Sequence, residues 1–202
     1  SPMVVPVLAW QASTEANGKD FFAHRMDLAA REQSRDADLT DWNSPGDVSA
    51  DGSRLLVTHA VSNVNTDIYL VDLAGGGRTL LTPHEGEAVY DAARFDRSGG
   101  KIYLVTNANP DGVARRALLD LGTKAIRFLD TEGPWEVQAL DLSPDRRVLG
   151  WTVNEDGYTR LNLWDLERDR ALHAPPMNGL VGGFSFSEAG SVAFDFSSAV
   201  ST

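Results

Sequence analysis

One segment comes close to a nucleophile motif. Residues 183–187 (GFSFS) match the Gly-x-Ser-x-Gly elbow except at the last position, where Ser187 replaces glycine. In that motif the serine sits on a sharp strand-to-helix turn, which exposes its hydroxyl for attack on a carbonyl carbon. Here the segment is predicted to be a strand, and no helical pattern follows it. No serine–histidine–acid triad can be assembled, so we predict no catalytic residue.

Three further segments contain parts of binding or catalytic motifs. Residues 107–112 (NANPDG) begin like a calcium loop, but its twelfth position needs an acid and holds Leu118. Glu85 and Glu87 could form a glycosidase carboxylate pair, but no second motif anchors them, which favours a solvated loop. Residues 75–77 (GGG) lack the Lys-Ser/Thr and the helix of a phosphate-binding loop. The chain has no cysteine and its four histidines are far apart, so we predict neither metal nor cofactor.

Charge and hydropathy exclude several classes of function. The formal net charge is -11, which repels nucleic acid and anionic lipid. No apolar run approaches the roughly 20 residues that span a bilayer, and no basic region followed by an apolar stretch marks a signal peptide. We therefore expect a cytoplasmic protein that binds neither nucleic acid nor membrane.

Two repeated signals run through the chain in phase. A hydrophobic residue, Asp and Leu recur as a triplet, with Asp-to-Asp steps of 45, 48 and 45 residues, and the four aspartates are Asp27, Asp72, Asp120 and Asp165. Turn-forming segments begin at Ser49, Asp96, Ser143 and Ser187, with steps of 47, 47 and 44 residues. A fixed period of this length is typical of a propeller or another repeat architecture.

Each period divides into four short strands. In residues 91–140, for example, the β-branched and aromatic run KIYLVT at 101–106 precedes a loop rich in turn formers. Residues 27–37 contain the one short helical pattern that competes with this division into strands. Four strands per unit predict an all-β fold, a β-propeller fragment of about four blades of four antiparallel strands with TolB-like or WD-like repeats.

The repeated aspartates have a predicted structural role. Each ends the third strand of its blade, where its carboxylate can accept hydrogen bonds from backbone N–H groups of the next turn. We therefore interpret Asp27, Asp72, Asp120 and Asp165 as structural turn anchors.

The turn positions divide the chain into blades. Complete blades are predicted at 47–90, 91–140 and 141–183. Residues 1–46 form an incomplete blade, with strands at 4–10, at 19–28 and near 36–41, and residues 184–202 form the first hairpin of a further blade. Two open faces would then be available, so we expect self-association, with pairing of residues 184–186 to the first blade as the alternative.

Two other features are expected to serve packing and connection. Large rings can fill the space that widens between blades, and four tryptophans are assigned to it: Trp42, Trp135, Trp151 and Trp164. Residues 59–65 are predicted to be a long polar loop between the second and third strands.

One blade resembles a known family. Residues 141–170 (DLSPDRRVLGWTVNEDGYTRLNLWDLERDR) are similar to the amino-terminal β-propeller of prolyl oligopeptidase family serine peptidases, in particular bacterial acylaminoacyl-peptidase-like members. Residues 66–83 (TDIYLVDLAGGGRTLLTP) and 180–198 fit as well. The sequence departs from the family pattern at Arg146, where glycine is usual, and at residues 188–189, where Glu-Ala replaces Pro-Asp.

The resemblance implies a gating role. In that family the propeller caps an α/β-hydrolase domain and controls the access of peptides to its active site. The implied partners are a hydrolase domain of the same parent chain and its peptide substrates, and this chain itself would be non-catalytic. The alternative is a TolB-like or WD-like propeller that binds another protein, and a propeller glycosidase is a third possibility.

Overall fold

The fold was analysed in a computed structural model, which describes residues 7–12, 20–35, 40–129, 133–175 and 178–198. These residues form strands and turns and no α-helix. The strands are β1 (Val7–Ala12), β2 (Phe22–Asp27), β3 (Glu32–Arg35), β4 (Trp42–Val48), β5 (Arg54–Ser62), β6 (Asn65–Asp72), β7 (Arg78–Leu80), β8 (Tyr90–Phe95), β9 (Lys101–Thr106), β10 (Arg115–Asp120), β11 (Ile126–Phe128), β12 (Val137–Leu142), β13 (Val148–Glu155), β14 (Tyr158–Asp165), β15 (Arg170–Leu172), β16 (Leu180–Phe186) and β17 (Val192–Ser197).

The strands form consecutive antiparallel sheets. Three sheets have four strands each, β4–β7, β8–β11 and β12–β15; a three-stranded sheet, β1–β3, precedes them, and a two-stranded sheet, β16–β17, follows. We name them blades 1 to 5 in chain order. The predicted all-β propeller class, with about four blades, is confirmed.

Blade boundaries in the structure lie earlier than the turn-based division. The first strands β4, β12 and β16 begin at Trp42, Val137 and Leu180, so each crosses a predicted boundary (46/47, 140/141 and 183/184). Turn residues mark where a strand ends, whereas the start of a first strand is set by pairing with the second strand.

Three local predictions were wrong. The final strand of blade 1 is Glu32–Arg35, not 36–41; residues 40–41 form a bend, and residues 36–39 lie outside the described part. The helical pattern at 27–37 is a turn followed by that strand. The predicted loop 59–65 shortens to Asn63 and Val64, because β5 pairs with β6 as far as Ser62.

Burial on both faces of a sheet explains the apolar runs. In β5 the consecutive residues Leu55, Leu56 and Val57 are all buried, although neighbouring residues of a strand point to opposite faces. Leu56 packs with Phe95 and other residues of blade 3. Leu55 and Val57 pack with Ala23 of blade 1. A continuous apolar run is thus required wherever a blade is sandwiched between two others.

The position of blade 5 depends on a glycine. A Cβ on Gly150 of β13 would lie 2.7 Å from the Phe184 ring and 3.0 Å from the Phe186 ring. Only a residue without a side chain lets these two rings pack on blade 4 at this distance. In the described part of the chain β16 and β17 pair only with each other, so pairing to blade 1 is not observed and self-association stays a prediction.

The turn between β12 and β13 contains an unusual left-handed residue. In blades 2, 3 and 5 the equivalent position is glycine, with φ of 72° at Gly52, 68° at Gly99 and 79° at Gly190. Blade 4 has Arg146 there, at φ 60°. A side chain in this conformation costs about 1–2 kcal/mol, so its retention calls for a compensating interaction.

The Arg146 side chain provides that interaction by linking three blades. Its guanidinium forms a two-pronged ion pair with Asp47 of blade 2, through Nη1 to Oδ2 and through Nη2 to Oδ1, the latter at 2.8 Å. It also donates to the carbonyls of Val48, in blade 2, and Phe95, in blade 3. The Phe95 N–H in turn donates to Asp47. Both charged side chains are only 15% exposed. We call this group the Arg146–Asp47 clamp.

We predict that Arg146→Gly destabilises the protein although it restores the glycine of the other turns. Loss of the partner of a largely buried carboxylate costs about 3 kcal/mol, and relief of the left-handed strain returns about 1 kcal/mol. The free energy of unfolding from urea titrations should fall by about 2 kcal/mol.

A matched control is Arg147→Ala, which removes an adjacent arginine that is 47% exposed and should change stability by less than about 0.5 kcal/mol. Combining Arg146→Gly with Asp47→Asn should cost less than the sum of the single changes by about 1–3 kcal/mol. Strict additivity would contradict the clamp.

Candidate functional site

The four predicted turn anchors lie at separate turns. Asp72, Asp120 and Asp165 end the third strands of their blades, and Asp27 ends β2, the middle strand of the three described in blade 1. The Oδ1 of each accepts backbone hydrogen bonds of 2.8–3.0 Å from the turn that follows. The donors are Ala29 and Ala30 for Asp27, Ala74 for Asp72, Gly122 and Thr123 for Asp120, and Glu167 and Arg168 for Asp165. The fold does not bring the four carboxylates together, so they do not form a site.

Hydrogen bonding keeps the turn carboxylates ionised. The N–H of Thr123 lowers the pKa of Asp120, and the N–H of Arg168 lowers the pKa of Asp165. In the first-to-second-strand turn of blade 2, the hydroxyls of Ser49 and Ser53 hold the pKa of Asp51 far below its usual range. Each shift stabilises the charged form, because the charged oxygen is the acceptor.

The first strands of the blades enclose a cleft. β4, β8 and β12 lie at sheet edges and contact one another across neighbouring blades, so they lie nearest the propeller axis. They line a cleft of about 580 Å³, whose walls include Trp42, Ser44, Asp91, Arg94 and Gln138. We call it the axial cleft.

A bulge in each first strand shapes this surface. The pairing register slips between Pro45 and Val48 in β4 and between Asp91 and Arg94 in β8. It slips again between Val137 and Ala139 in β12 and between Val181 and Phe184 in β16. Because a bulge bends its strand and redirects side chains, the repetition gives all four strands the same curvature towards the axis.

Charges at the far end of these strands are paired. Asp47, Arg94 and Asp141 each stand just before the last residue of β4, β8 and β12 respectively. The Arg94 Nε donates to Asp141 Oδ1 at 2.8 Å, and Asp47 binds Arg146 in the clamp. The inner strands are therefore held together by two ion pairs that join different blades.

Exposed apolar side chains concentrate at the opposite end of the inner strands. Trp42 pairs with Ala60 next to the β5–β6 hairpin, and Tyr158 begins β14 opposite Glu155. The same end holds seven large hydrophobic residues with 43–59% exposure: Trp42, Val61, Val64, Trp135, Tyr158, Leu180 and Phe196. We call this end the apolar rim. The axial cleft opens beside it, since its walls include Trp42 of the rim together with Ala60 and Asn63, which adjoin Val61 and Val64 in the chain.

The predicted roles of the tryptophans are half correct. Trp151 and Trp164 are partly buried against the core between blades 3 and 4. Trp42 and Trp135 are instead 45% and 43% exposed. The Trp42 ring packs on Phe21, the residue before β2 of blade 1, with 4.2 Å between the ring centroids. Both tryptophans nevertheless stand at or just before the start of a first strand, on the rim, so the prediction that they are buried between blades was wrong.

A histidine network between blades 2 and 3 was not predicted. His84 lies 3.0 Å from the Thr82 carbonyl through Nδ1, 3.1 Å from Asn65 Oδ1 through Nε2, and 3.3 Å from Asp67. The Thr82 hydroxyl donates to Asp67 and accepts from the Ile68 N–H. This hydroxyl is buried and is not bonded to the imidazole, so the group stabilises blade packing and is not a nucleophile–base pair. Its members are scattered over 20 residues without a motif, so the sequence offered no signal.

Other sequence candidates lack catalytic or metal-binding geometry in the described residues. Ser185 lies within β16, opposite Ala193, and no described histidine bonds to a serine or threonine hydroxyl. In the 107–112 loop, Asn107 accepts from the Val89 N–H and Asp111 pairs with Arg115. The described residues contain no group of three acidic, histidine or cysteine side chains that could hold a metal ion, and no helix that could span a membrane is found among them.

Comparisons with known proteins identify the fold. No protein-family model matches the sequence, and no curated protein matches it. Among solved structures, TolB from Acinetobacter baumannii has a TM-score of 0.72 at 16% identity, covering 96% of this chain and 48% of TolB. A prolyl endopeptidase structure has a TM-score of 0.65 at 14% identity, covering 90% of this chain and 28% of that chain. An oligogalacturonate lyase in complex with manganese has a TM-score of 0.62 at 17% identity, covering 91% of this chain and 57% of that chain. This chain thus spans about half of TolB, and at such identities the likeness shows the β-propeller fold alone.

The turn carboxylates predict an acid-sensitive fold. The folded-state pKa values of Asp51, Asp120 and Asp165 are lowered. Their contribution to stability is therefore present above the unfolded-state pKa of about 4 and is lost as the pH falls through the folded values. The urea midpoint should be constant from pH 7 to 5 and fall below about pH 4.

Asp120→Asn and Asp165→Asn should lower the midpoint at pH 7 and reduce its further fall at acid pH, because one titrating group is gone. Glu85→Gln in an exposed loop is the matched control and should follow the wild-type curve. Identical curves for all variants would show that the anchors do not stabilise the fold.

Proposed function

We propose that this chain is the non-catalytic propeller of a serine oligopeptidase-like protein, in which it controls the access of peptides to a separate α/β-hydrolase domain. The observation that carries the proposal is the apolar rim beside the axial cleft. A docking surface and a passage for an extended chain would then share one end of the propeller.

The rim has the chemistry of a protein interface. Large contiguous apolar surface is uncommon on soluble monomers and marks interaction sites, and Trp and Tyr dominate interface energetics. Trp42, Trp135 and Tyr158 are such residues. Val61 and Val64 lie in the β5–β6 hairpin next to Ala60, the pairing partner of Trp42. The opposite end carries the hydrogen-bonded aspartate turns, and its exposed large hydrophobic residue among those described is Leu28.

The axial cleft suits a polypeptide segment. Its walls mix hydroxyl, amide and apolar groups, and the charges of Arg94 and Asp141 are satisfied by each other. Such a surface offers hydrogen bonds to a peptide backbone without demanding one side-chain type. Cleavage must come from another domain, because the described residues contain no nucleophile–base pair.

Two similarities support the peptidase assignment. Residues 141–170 resemble propeller blades of the prolyl oligopeptidase family, and a prolyl endopeptidase structure shares the fold over 90% of this chain. A second candidate is a TolB-like scaffold that binds a separate protein, favoured by the match to TolB over 96% of this chain. Both candidates use the rim, and they differ in whether the partner is a hydrolase domain of the same chain.

The test is made in the full-length protein encoded by the gene. We expect a Gly-x-Ser-x-Gly domain in the same chain and cleavage of short peptides but not of folded proteins. The double variant Trp42→Ser/Val64→Ser should loosen the rim contact and raise the cleavage of an unfolded 100-residue substrate relative to a decapeptide on the order of tenfold, since interface aromatics contribute more than about 1 kcal/mol each.

Leu28→Ser, on the opposite end, is the matched control and should leave that ratio unchanged. A gene without a hydrolase domain, together with loss of a co-purifying protein in the rim variant, would reject the peptidase gate in favour of the TolB-like scaffold. A rim variant that changes neither readout would reject both.

A further inference from the structure

A second cavity lies between blades 3 and 4, away from the axis. It has a volume of about 500 Å³ and shares no lining residue with the axial cleft. Blade 3 contributes Tyr103, Arg116 and Arg127, and blade 4 contributes Trp151, Trp164 and Asp169 among others. We call it the interblade groove. Its size falls within the range of small-molecule sites, about 300–1,000 Å³.

The groove interrupts the packing pattern of the repeat. Counting from the turn after each first strand, Leu56 of blade 2 is equivalent to Tyr103. Counting back from the aspartate that ends the third strand, Ile68, four residues before Asp72, is equivalent to Arg116, four residues before Asp120. Leu56 and Ile68 are fully buried between blades 2 and 3. Between blades 3 and 4 the same two positions carry a phenol and a guanidinium around an open cavity. Because apolar side chains fill the equivalent space between blades 2 and 3, blade packing alone does not explain the polar residues Tyr103 and Arg116.

Aromatic rings and guanidinium groups face one another in the groove. The guanidinium of Arg116 lies 3.4 Å from the centroid of the Trp151 ring, a cation–π contact that joins the two blades. The indole N–H of Trp164 donates to Asp169 at 3.2 Å. Arg116 thus covers the Trp151 ring, and the groove offers the Trp164 ring as an apolar surface, with Arg127 to bind an anionic group.

The Tyr103 hydroxyl adds a neutral donor. Burial raises the pKa of the Tyr103 phenol and the Asp96 carboxylate raises it further, whereas Arg127 and Arg116 act in the opposite direction. The hydroxyl is therefore protonated at neutral pH. Arg116 and Arg127 line the same groove as this phenol.

Local charge selects the kind of ligand. The whole chain carries a net charge of -11, but the charged residues that line the groove are two arginines and one aspartate. A polyanion would be repelled by the surrounding surface. A small ligand with one negative group meets only the local arginines.

We propose that the interblade groove binds a small organic monoanion, a carboxylate attached to a flat ring. The ring packs on the blade 4 wall of the groove beside Trp164, and the carboxylate accepts hydrogen bonds from Arg127 and the Tyr103 hydroxyl. The site is independent of the apolar rim and of the peptidase assignment.

The probe is naphthalene-2-carboxylate, with the uncharged naphthalene-2-carboxamide as its shape-matched control. Isothermal titration calorimetry on the purified chain should show saturable 1:1 binding of the carboxylate with a dissociation constant on the order of 1 mM or tighter. The carboxamide should bind at least about tenfold more weakly, since a hydrogen bond to a charged group is lost. Raising the salt concentration should weaken binding of the carboxylate alone.

Variants assign the site. Arg127→Gln alters an exposed side chain of β11 and should weaken carboxylate binding about tenfold or more while leaving the melting temperature unchanged. Tyr103→Phe should weaken it less. Arg78→Gln, an outer-strand arginine of blade 2, is the matched control and should have no effect. Absence of saturable binding, equal binding of the carboxamide, or full affinity in Arg127→Gln would each overturn the proposal.

Discussion

Every blade of this protein is a single twisted sheet that must be covered on both faces. Leu55, Leu56 and Val57 show the consequence, because three consecutive residues of one strand are buried against two different blades. A four-stranded sheet alone cannot provide this cover, so the blades are stable only as a stack. The apolar runs, the glycine at position 150 and the bulged inner strands all serve the same close approach of neighbouring sheets.

Ion pairs fix the angle between stacked blades, which apolar contacts alone do not determine. Hydrophobic burial is non-directional, so it favours stacked blades without fixing the angle between them. The Arg146–Asp47 clamp joins residues 99 positions apart in three blades, and Arg94–Asp141 joins blades 3 and 4. Both lie at one end of the inner strands. The two ion pairs thus fix the angle between neighbouring blades near the axis, where a small error in that angle would accumulate from blade to blade.

The two ends of the propeller differ in character. One end holds the aspartate turns, the charge pairs and the clamp, all of which are internally satisfied. The other end carries exposed Trp, Tyr and Val side chains beside the axial cleft. This asymmetry separates a surface that holds the blades together from one available to a partner, and the interblade groove adds a third surface that faces neither end.

Local chemistry in the sequence determined the repeat, the four-stranded blades and the turn aspartates. These depend on runs of β-branched and aromatic residues and on turn residues, which act between neighbours in the chain. Strand starts were less accurate, as at Trp42 and Val137, because pairing with the second strand extends them beyond the turn signal. The sequence also showed that Arg146 replaces the usual glycine. It did not show why, since the partner Asp47 lies two blades away. Only the tertiary structure decided that Trp42 is exposed whereas Trp151 is packed, that His84 joins Asp67 and Asn65, and that Tyr103 and Arg116 face an open groove. Each of these outcomes depends on how one blade is rotated against the next, and that rotation is set by contacts between residues far apart in the chain.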